Sequence, residues 1–346
     1  MACSTVLRNV SAKQRSLPGV EARRRAADVD EFDLINRYFT WAGQRSDDVL
    51  VGVGDDAALV RLPPGEATVL SLDTMVEDVH FPGGLDPELI GERLAAVNLS
   101  DQAAMGACPA FATLALTLPA IDEAWLAGFA RGLRRGLEAH GCRLVGGDTT
   151  RGPLTMSLHI TGSVAAGGLT RDGACVGDQV FVSGTLGDAA AAIAGFERSG
   201  DFALNALFLE RFCRPQPRLR LGESLLGIAS AAIDISDGLI ADLGHVARLS
   251  HVGIDIELDS LPRSNALMNT FEPVKSLELA ACGGDDYELA FTVAGELCSK
   301  VLECAEQCSV PVTRIGVVTD AEGVRCLDST GEEVEFAFDG YRHFGV

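Results

Sequence analysis

Again and again in this sequence an apolar run stops at small residues and an acid. The stops are Gly54-Asp55-Asp56, Ser71-Leu72-Asp73-Thr74, Asn98-Leu99-Ser100-Asp101, Gly146-Gly147-Asp148-Thr149, Asp234-Ile235-Ser236-Asp237-Gly238 and Gly283-Gly284-Asp285-Asp286. Taken singly, each is an ordinary turn or helix cap, because Gly, Asp and Ser are the residues that turns and N-caps select. Taken together they constrain the fold. Strand ends of an α/β sheet are where ligands bind, and carboxylates converging there repel one another unless cations join them. Mg²⁺ takes oxygen ligands, keeps much of its water, and links one or two carboxylates to substrate phosphates. The pattern therefore points to a multi-metal phosphate site, in which acids hold Mg²⁺ and Mg²⁺ holds phosphate. The chain has no GxxxxGK[ST] segment, which excludes a Walker-type loop.

Bulk properties narrow the class. With 346 residues, 47% of them apolar, the chain can bury two cores. Its net charge of −21 argues against nucleic acid or an anionic membrane as partner. No apolar run is long enough to span a bilayer. The 10 cysteines include no CxxC, and Cys298, Cys304 and Cys308 share one helical stretch. Free, packed thiols in a reducing cytoplasm are the expectation. Residues 1–30 carry Arg8, Lys13, Arg15 and Arg23-Arg24-Arg25 with few acids. They read as a disordered leader, or as a start placed too far upstream, and stay outside the fold argument.

Helical spacing covers Phe32–Ala42, Pro87–Met105 and Glu123–His140. Strand-like runs lie at Val49–Val53, Ala57–Val60, Thr68–Leu72, Phe111–Leu118, Arg143–Val145 and Leu154–Val164. Between Leu154 and Thr161 apolar and polar residues alternate, so one face of that sheet is buried and the other is partly polar. This is an α+β domain over residues 31–167 whose helices cover one face of the sheet. A Gly-rich break at Ala166-Gly167-Gly168 leads into a second, α/β domain over 168–346. Its strands are expected at Gln179–Ser183, Ala232–Ile235, Ile254–Leu258, Glu288–Val293 and Val312–Val318. Helices are expected at Ala189–Phe196, Asn205–Phe212, Leu219–Ser230 and Leu239–Leu249.

From Glu31 to Phe344 the motifs GVGDDAAL, SLDTMVEDVHF, LAAVNLSDQAAMGA, LVGGDTTRGP, LTRDGA, AIDISDGLIADLGH, GGDDYELAF and GYRHF occur in order. The chain thereby resembles the thiamine-monophosphate kinase family, in the superfamily of aminoimidazole-ribonucleotide synthetase and selenophosphate synthetase. The resemblance implies a homodimer, in which the N-terminal sheets of two chains close a β-barrel. It also implies a cleft between the domains for Mg-ATP and thiamine monophosphate, and transfer of the γ-phosphoryl group of ATP to give thiamine diphosphate. By matching motif, Asp56, Asp73, Asp101, Asp148 and Asp234 would hold several Mg²⁺ ions per site, Asp237 a further one, with Ser71 and Thr74 flanking them. Gly147, Arg171 and Ser236 would contact ATP, Arg171 neutralising charge on the transferring group. His80, Asp285 and Tyr341 would meet the thiamine end.

No general base is implied, because a phosphomonoester is largely ionised at neutral pH. Asp55 reads as a turn residue, and Asp242 and His245, three apart, as helix structure. The family usually has glutamate where this chain has Asp285, one methylene shorter, which leaves open a contact through water or metal. Two alternatives stand beside this reading: another ATP-using synthetase of the superfamily, or a non-catalytic thiamine-nucleotide sensor. The reactive Cys-Lys pair of selenophosphate synthetases and the C-terminal cysteine of the hydrogenase-maturation relative are both missing, and the full set of acids disfavours a sensor.

Overall fold

The computed structural model describes residues 31–39, 41–165, 167–199, 205–337 and 340. The expected leader and Tyr341 lie outside the described residues. The first domain runs α1 (Glu31–Tyr38), β1 (Val49–Val51), β2 (Leu59–Val60), β3 (Ala67–Val76), α2 (Pro87–Ala104), β4 (Cys108–Leu118), α3 (Glu123–Glu138), β5 (Arg143–Arg151) and β6 (Thr155–Val164). The strands β3, β6, β4 and β5 form one sheet in that order, antiparallel except for the parallel pair β4/β5.

The period-two pattern decides what each face of this sheet does. Met75, Met156, Leu158, Ile160, Leu114 and Leu116 point to one side and are buried with Leu94, Leu99, Phe129 and Leu133 of α2 and α3. On the other side Leu70 and Leu72 are 64% and 59% exposed. Both helices start at Asp N-caps. The Asp86 side chain accepts from the Glu88 N–H, with Pro87 as first helical residue, and Asp122 accepts from Ala124 and Trp125.

The second domain contains β7 (Gln179–Ser183), α4 (Asp188–Ser199), α5 (Ala206–Cys213), α6 (Leu219–Ser224), β8 (Ala231–Asp234), α7 (Leu239–Ser250), β9 (Gly253–Glu257), α8 (Asn265–Thr270), α9 (Pro273–Cys282), β10 (Leu289–Val293), α10 (Cys298–Cys308), β11 (Val312–Thr319) and β12 (Gly323–Leu327). Its sheet order is β12-β9-β11-β7-β10-β8, antiparallel throughout except where β12 lies parallel to β9. The architecture is a two-domain α/β fold with mixed sheets.

Several boundaries differ from the sequence reading. The helix expected to reach Ala42 ends at Tyr38, and the one expected to reach Ser230 ends at Ser224, where the chain turns through Gly227 at φ +72°. The short helices α8 and α9 and the edge strand β12 carry too few periodic positions to stand out in the sequence. Among the described residues no helix is long and apolar enough to cross a membrane. All described cysteines are free, and Cys142, Cys213, Cys282, Cys304 and Cys326 are buried.

One element ties the domains together. Helix α2 is buried along almost its whole length, as befits a helix packed on all sides. Against α3 it crosses so closely that a Cβ on Gly132 would sit 1.9 Å from the Glu88 carbonyl oxygen. Against α6 of the second domain, a Cβ on Gly222 would sit 2.0 Å from the Ala103 carbonyl oxygen. Three polar side chains of α2 also reach across. Glu92 pairs with Arg214, Arg93 with Asp285, and Ser100 with Asp234.

Candidate active site

The acids gather where α2 meets the ends of β3 and β8. Asp73 lies on the inner face of β3, and its backbone N–H donates to the Asn98 carboxamide oxygen at 2.9 Å. Asp234 ends β8 and is 3% exposed, with the Ser100 hydroxyl donating to its Oδ2 at 2.8 Å. Asp101 lies one residue further along α2. These groups feel one another. Burial, then Asp234 and Asp237, pushes the Asp73 carboxyl up to about 6. Burial, then Asp234 and Asp73, raises Asp101 as well, with Arg171 pulling the other way. Asp234 is raised chiefly by burial, against the Ser100 hydrogen bond and Arg171. The expected residues Asp73, Asp101, Asp234, Asp237 and Arg171 are therefore brought together.

The loop after β8 is shaped by a residue the sequence reading assigned to helix structure. Asp242 reaches back from α7, and its Oδ2 accepts from the backbone N–H groups of Ser236, Asp237 and Gly238 at 3.0–3.1 Å. Burial, then Asp234 and Asp237, lifts its carboxyl to about 7. Gly238 has φ +122°, and a Cβ there would lie 2.5 Å from the Cys282 carbonyl oxygen, so only glycine lets the two loops meet. Their backbones are stitched together as well, the Asp285 and Tyr287 N–H groups donating to Ser236 and Ile235 carbonyls at 2.8 Å. His245 pairs not with Asp242 but with Arg248, 2.7 Å away. Gly340 packs near Ala241 and Asp237, one residue before Tyr341.

Beside this cluster opens a cavity of about 950 Å³. It runs between the domains from Asp73, Ser236 and Asp237 to His80, Phe81, Arg93, Asp285 and Tyr287, with α4 and α9 as further walls. His80 lines the cavity. Its Nδ1 accepts from the Val76 N–H at 3.0 Å, which puts the ring proton on Nε2. Asp285 also lines the cavity, in a left-handed conformation at φ +70°. Its Oδ1 accepts from Arg93, at 2.5 Å, and from the Tyr287 hydroxyl, at 3.2 Å. The guanidinium of Arg93 is raised because Asp285 and Tyr287 outweigh a large burial penalty. Arg93 and Tyr287 escaped the sequence reading. Their signals were a charge inside the apolar run of α2 and an aromatic directly after the paired acids.

Other expected residues lie elsewhere in this chain. Asp148 and Gly147 are exposed on the edge strand β5. The register Thr74–Ser157–Ala115–Asp148 places Asp148 on the uncovered face of the sheet, opposite to Asp73. Thr74 lies on that same face, its hydroxyl 2.6 Å from that of Ser157, while Ser71 faces inward and accepts from Gln102 at 2.9 Å. Gly147 has a packing reason of its own, since a Cβ would stand 2.0 Å from the Leu114 carbonyl oxygen. Asp56 is exposed in the β1–β2 turn, where the Asp55 side chain accepts its N–H at 2.9 Å. Asp55 thus shapes the turn.

Whether the donors suit a metal follows from their chemistry. The cluster offers oxygen only, from carboxylates and hydroxyls, and its carboxylates are held above their ordinary range by burial and mutual repulsion. That set fits a hard divalent cation. Among the described residues no group of three or more His, Cys, Asp or Glu side chains stands close enough to hold a metal alone.

Residues 54–177 match the model for the AIR synthase related protein, N-terminal domain, and residues 176–328 that for the C-terminal domain. The chain is 46% identical over 322 residues to the thiamine-monophosphate kinase of Escherichia coli (strain K12), covering 91% of this chain and 98% of that one. It is similar to the crystal structure of thiamine-monophosphate kinase from Stenotrophomonas maltophilia K279a, with a TM-score of 0.81 at 43% identity over 88% of this chain and 98% of that one. It is also similar to AaThiL complexed with AMPPCP and TMP, with a TM-score of 0.72 at 34% identity over 84% and 92% of the two chains.

Proposed function

The chain belongs to the thiamine-monophosphate kinase family, and from that premise we propose that its interdomain cleft moves the γ-phosphoryl group of ATP onto the phosphate of thiamine monophosphate, yielding thiamine diphosphate and ADP. The observation that carries this reading is the joining of two unlike environments in one cleft. One end is an oxygen-only acidic cluster with Arg171 beside it, and the other is a roomy cavity walled by Phe81, Ile193, Phe196 and Tyr287. A polyphosphate suits the first and a heteroaromatic ring system the second. The curated relative carries the name thiamine-monophosphate kinase, and a structural relative is AaThiL complexed with AMPPCP and TMP.

The nucleophile is an oxygen of a phosphate that is mostly ionised near neutral pH, with a second pKa of about 6. No side chain has to remove a proton. The difficulty is charge, because two polyanions approach one another in a protein of net charge −21. Asp73, Asp101, Asp234 and Asp237 would hold Mg²⁺, with Asp56, Asp148 and Ser71 completing the set. Mg²⁺ bound there would offset phosphate charge and align donor with acceptor for in-line transfer. Arg171 stabilises the equatorial oxygens of the transferring group, and Ser236 and Gly147 contact ATP. His80, Asp285 and Tyr341 orient the thiamine end, His80 as an Nε2–H donor.

The placement of Asp148 bears on assembly. Asp73 and Asp148 sit on the two edge strands of a four-stranded sheet, three strand spacings or roughly 14 Å apart, and on opposite faces. A homodimer that closes a barrel with β3 of one chain beside β5 of the other would cover Leu70 and Leu72. It would also bring the partner subunit's β5 beside β3. Residues 31–167 would then be the metal, ATP and dimerisation domain.

The test is incubation with ATP, Mg²⁺ and thiamine monophosphate, followed by chromatography for thiamine diphosphate. Product should form in the wild type. Asp101→Asn and Asp234→Asn should lose at least about 100-fold in kcat while remaining folded by circular dichroism. A wild type that binds both substrates yet makes no product would overturn the reading.

A further inference from the structure

The two ends of the cleft are held by one helix. Ser100 of α2 fixes Asp234 at the phosphate end. Seven residues earlier, two turns or about 10 Å along the same helix, Arg93 fixes Asp285 at the thiamine end. The Arg93 side chain is 2% exposed. One of its amines donates to the Phe212 carbonyl and the other to Asp285, both at 2.5 Å, and its guanidinium carbon lies over the Phe212 ring, 4.0 Å from the centroid. Its Nε has no hydrogen-bond partner among the described residues.

We propose that Arg93 is the positioning residue of the acceptor subsite: it seats Asp285 so that one carboxylate oxygen is locked and the other is presented to the thiamine end. The inference rests on the kinase reading of the cleft.

Three observations argue for it. Oδ1 of Asp285 is taken by Arg93 and Tyr287, whereas Oδ2 makes no hydrogen bond among the described residues, and Asp285 lines the cavity. Asp285 and Tyr287 both hold left-handed backbone conformations, at φ +70° and +50°. Non-glycine residues adopt these at a cost and keep them where the surroundings over-determine them. Here Arg93 supplies part of that determination from the other domain. Finally, a buried charge kept beside its partner in a ligand cavity makes little sense as a stabilising device, since apolar residues of similar volume do as well. It makes sense where a carboxylate must be held and aimed. Thiamine monophosphate presents an exocyclic amine and a cationic thiazolium ring, and both favour a fixed anionic acceptor. Asp78, Glu197 and Glu278 on the same walls add to that preference.

The position also explains how a shorter acid can serve. Arg93 anchors the carboxylate from behind, so the contact is set by the guanidinium rather than by side-chain length.

Steady-state kinetics with each substrate varied separately would test this. Arg93→Met should raise KM for thiamine monophosphate about 10-fold or more, with KM for ATP changed less than about 2-fold. Arg93→Lys keeps the charge but not the two-partner fork, and should fall between. Asp285→Asn should raise the same KM, and the double variant with Arg93→Met should be no worse than the poorer single one. If Arg93→Met does not fold, Arg93→Lys and Asp285→Asn carry the test. Equal loss for both substrates, a fall in kcat alone, or an unchanged thiamine-monophosphate KM in folded variants would overturn the proposal. A wild type without turnover would instead defeat the kinase reading. Calorimetric binding of thiamine monophosphate alone would still judge Arg93, with weaker binding by the variants as the result expected and equal binding as the result against it.

Discussion

Asp286 shows how much of this site depends on neighbours that no spacing rule reveals. Its carboxylate accepts the Gly187 N–H through both oxygens, at 3.0 and 2.9 Å, and so ties the start of α4 to the loop of Asp285. Burial first, then Glu288, Asp188 and Asp285, raises its pKa well above the ordinary 3.8. The folded protein therefore binds that proton more tightly than the unfolded chain does. The stability this contributes is present below pH 3.8 and is lost as pH rises through the raised value, by at most ~1.4 kcal/mol per pH unit. Asp286→Asn should flatten that decline and raise the melting temperature near neutral pH, read by calorimetry at several pH values. Identical slopes in variant and wild type would refute the assignment. At this scale the chemistry-bearing acids announced themselves as residue types beside small residues. Arg93, Asp242 and Tyr287 did not, because an arginine in a helix, an acid four residues past a glycine and an aromatic near a strand have many ordinary uses.

Helix α2 is the element on which the fold and the site coincide. Its motif was plain in the sequence, but its role as a shared spine was not, since a helix buried on all sides lacks the one-sided period that marks a packing face. What lets it sit between two domains is close backbone approach. Gly222→Ala would push a methyl group to 2.0 Å from the Ala103 carbonyl oxygen. The expected cost is about 1–3 kcal/mol of overpacking, seen as a melting temperature several degrees lower. Gly244 in α7 is the contrast, because nothing lies within 4 Å of a Cβ there. Gly244→Ala should stabilise by roughly 0.5–1 kcal/mol, the helix preference of alanine over glycine. Equal effects of the two changes would show that the α2–α6 crossing is not tight.

For the whole molecule, the open face of the first sheet and the split between Asp73 and Asp148 make one prediction. If the partner subunit supplies Asp148, inactive Asp101→Asn and Asp148→Asn chains should complement when mixed and exchanged. Half of the dimers would be mixed, each with one intact site of two, so about a quarter of wild-type activity should return. If both residues serve the same chain, every site in a mixed dimer is damaged and no activity returns. If the chain pairs through that face, where Leu72 is 59% exposed, Leu72→Asp should shift it toward monomer in sedimentation and lower its activity.

Local chemistry was readable in the sequence because it depends on residue type and near spacing. The acid turns, the starts of α2 and α3, the alternating strands with one polar face, and the family itself all follow from that. The path of the second sheet did not follow, since an α/β alternation does not say whether neighbouring strands run parallel, and here most run antiparallel. Nor did the grouping of the acids. Which of them share one cluster, and which stand on the far side of a sheet, depends on register and on contacts between residues more than a hundred positions apart, such as Ser100 with Asp234 and Arg93 with Asp285. Such long-range pairings are set by packing of the two domains against α2, and no stretch of sequence contains both partners.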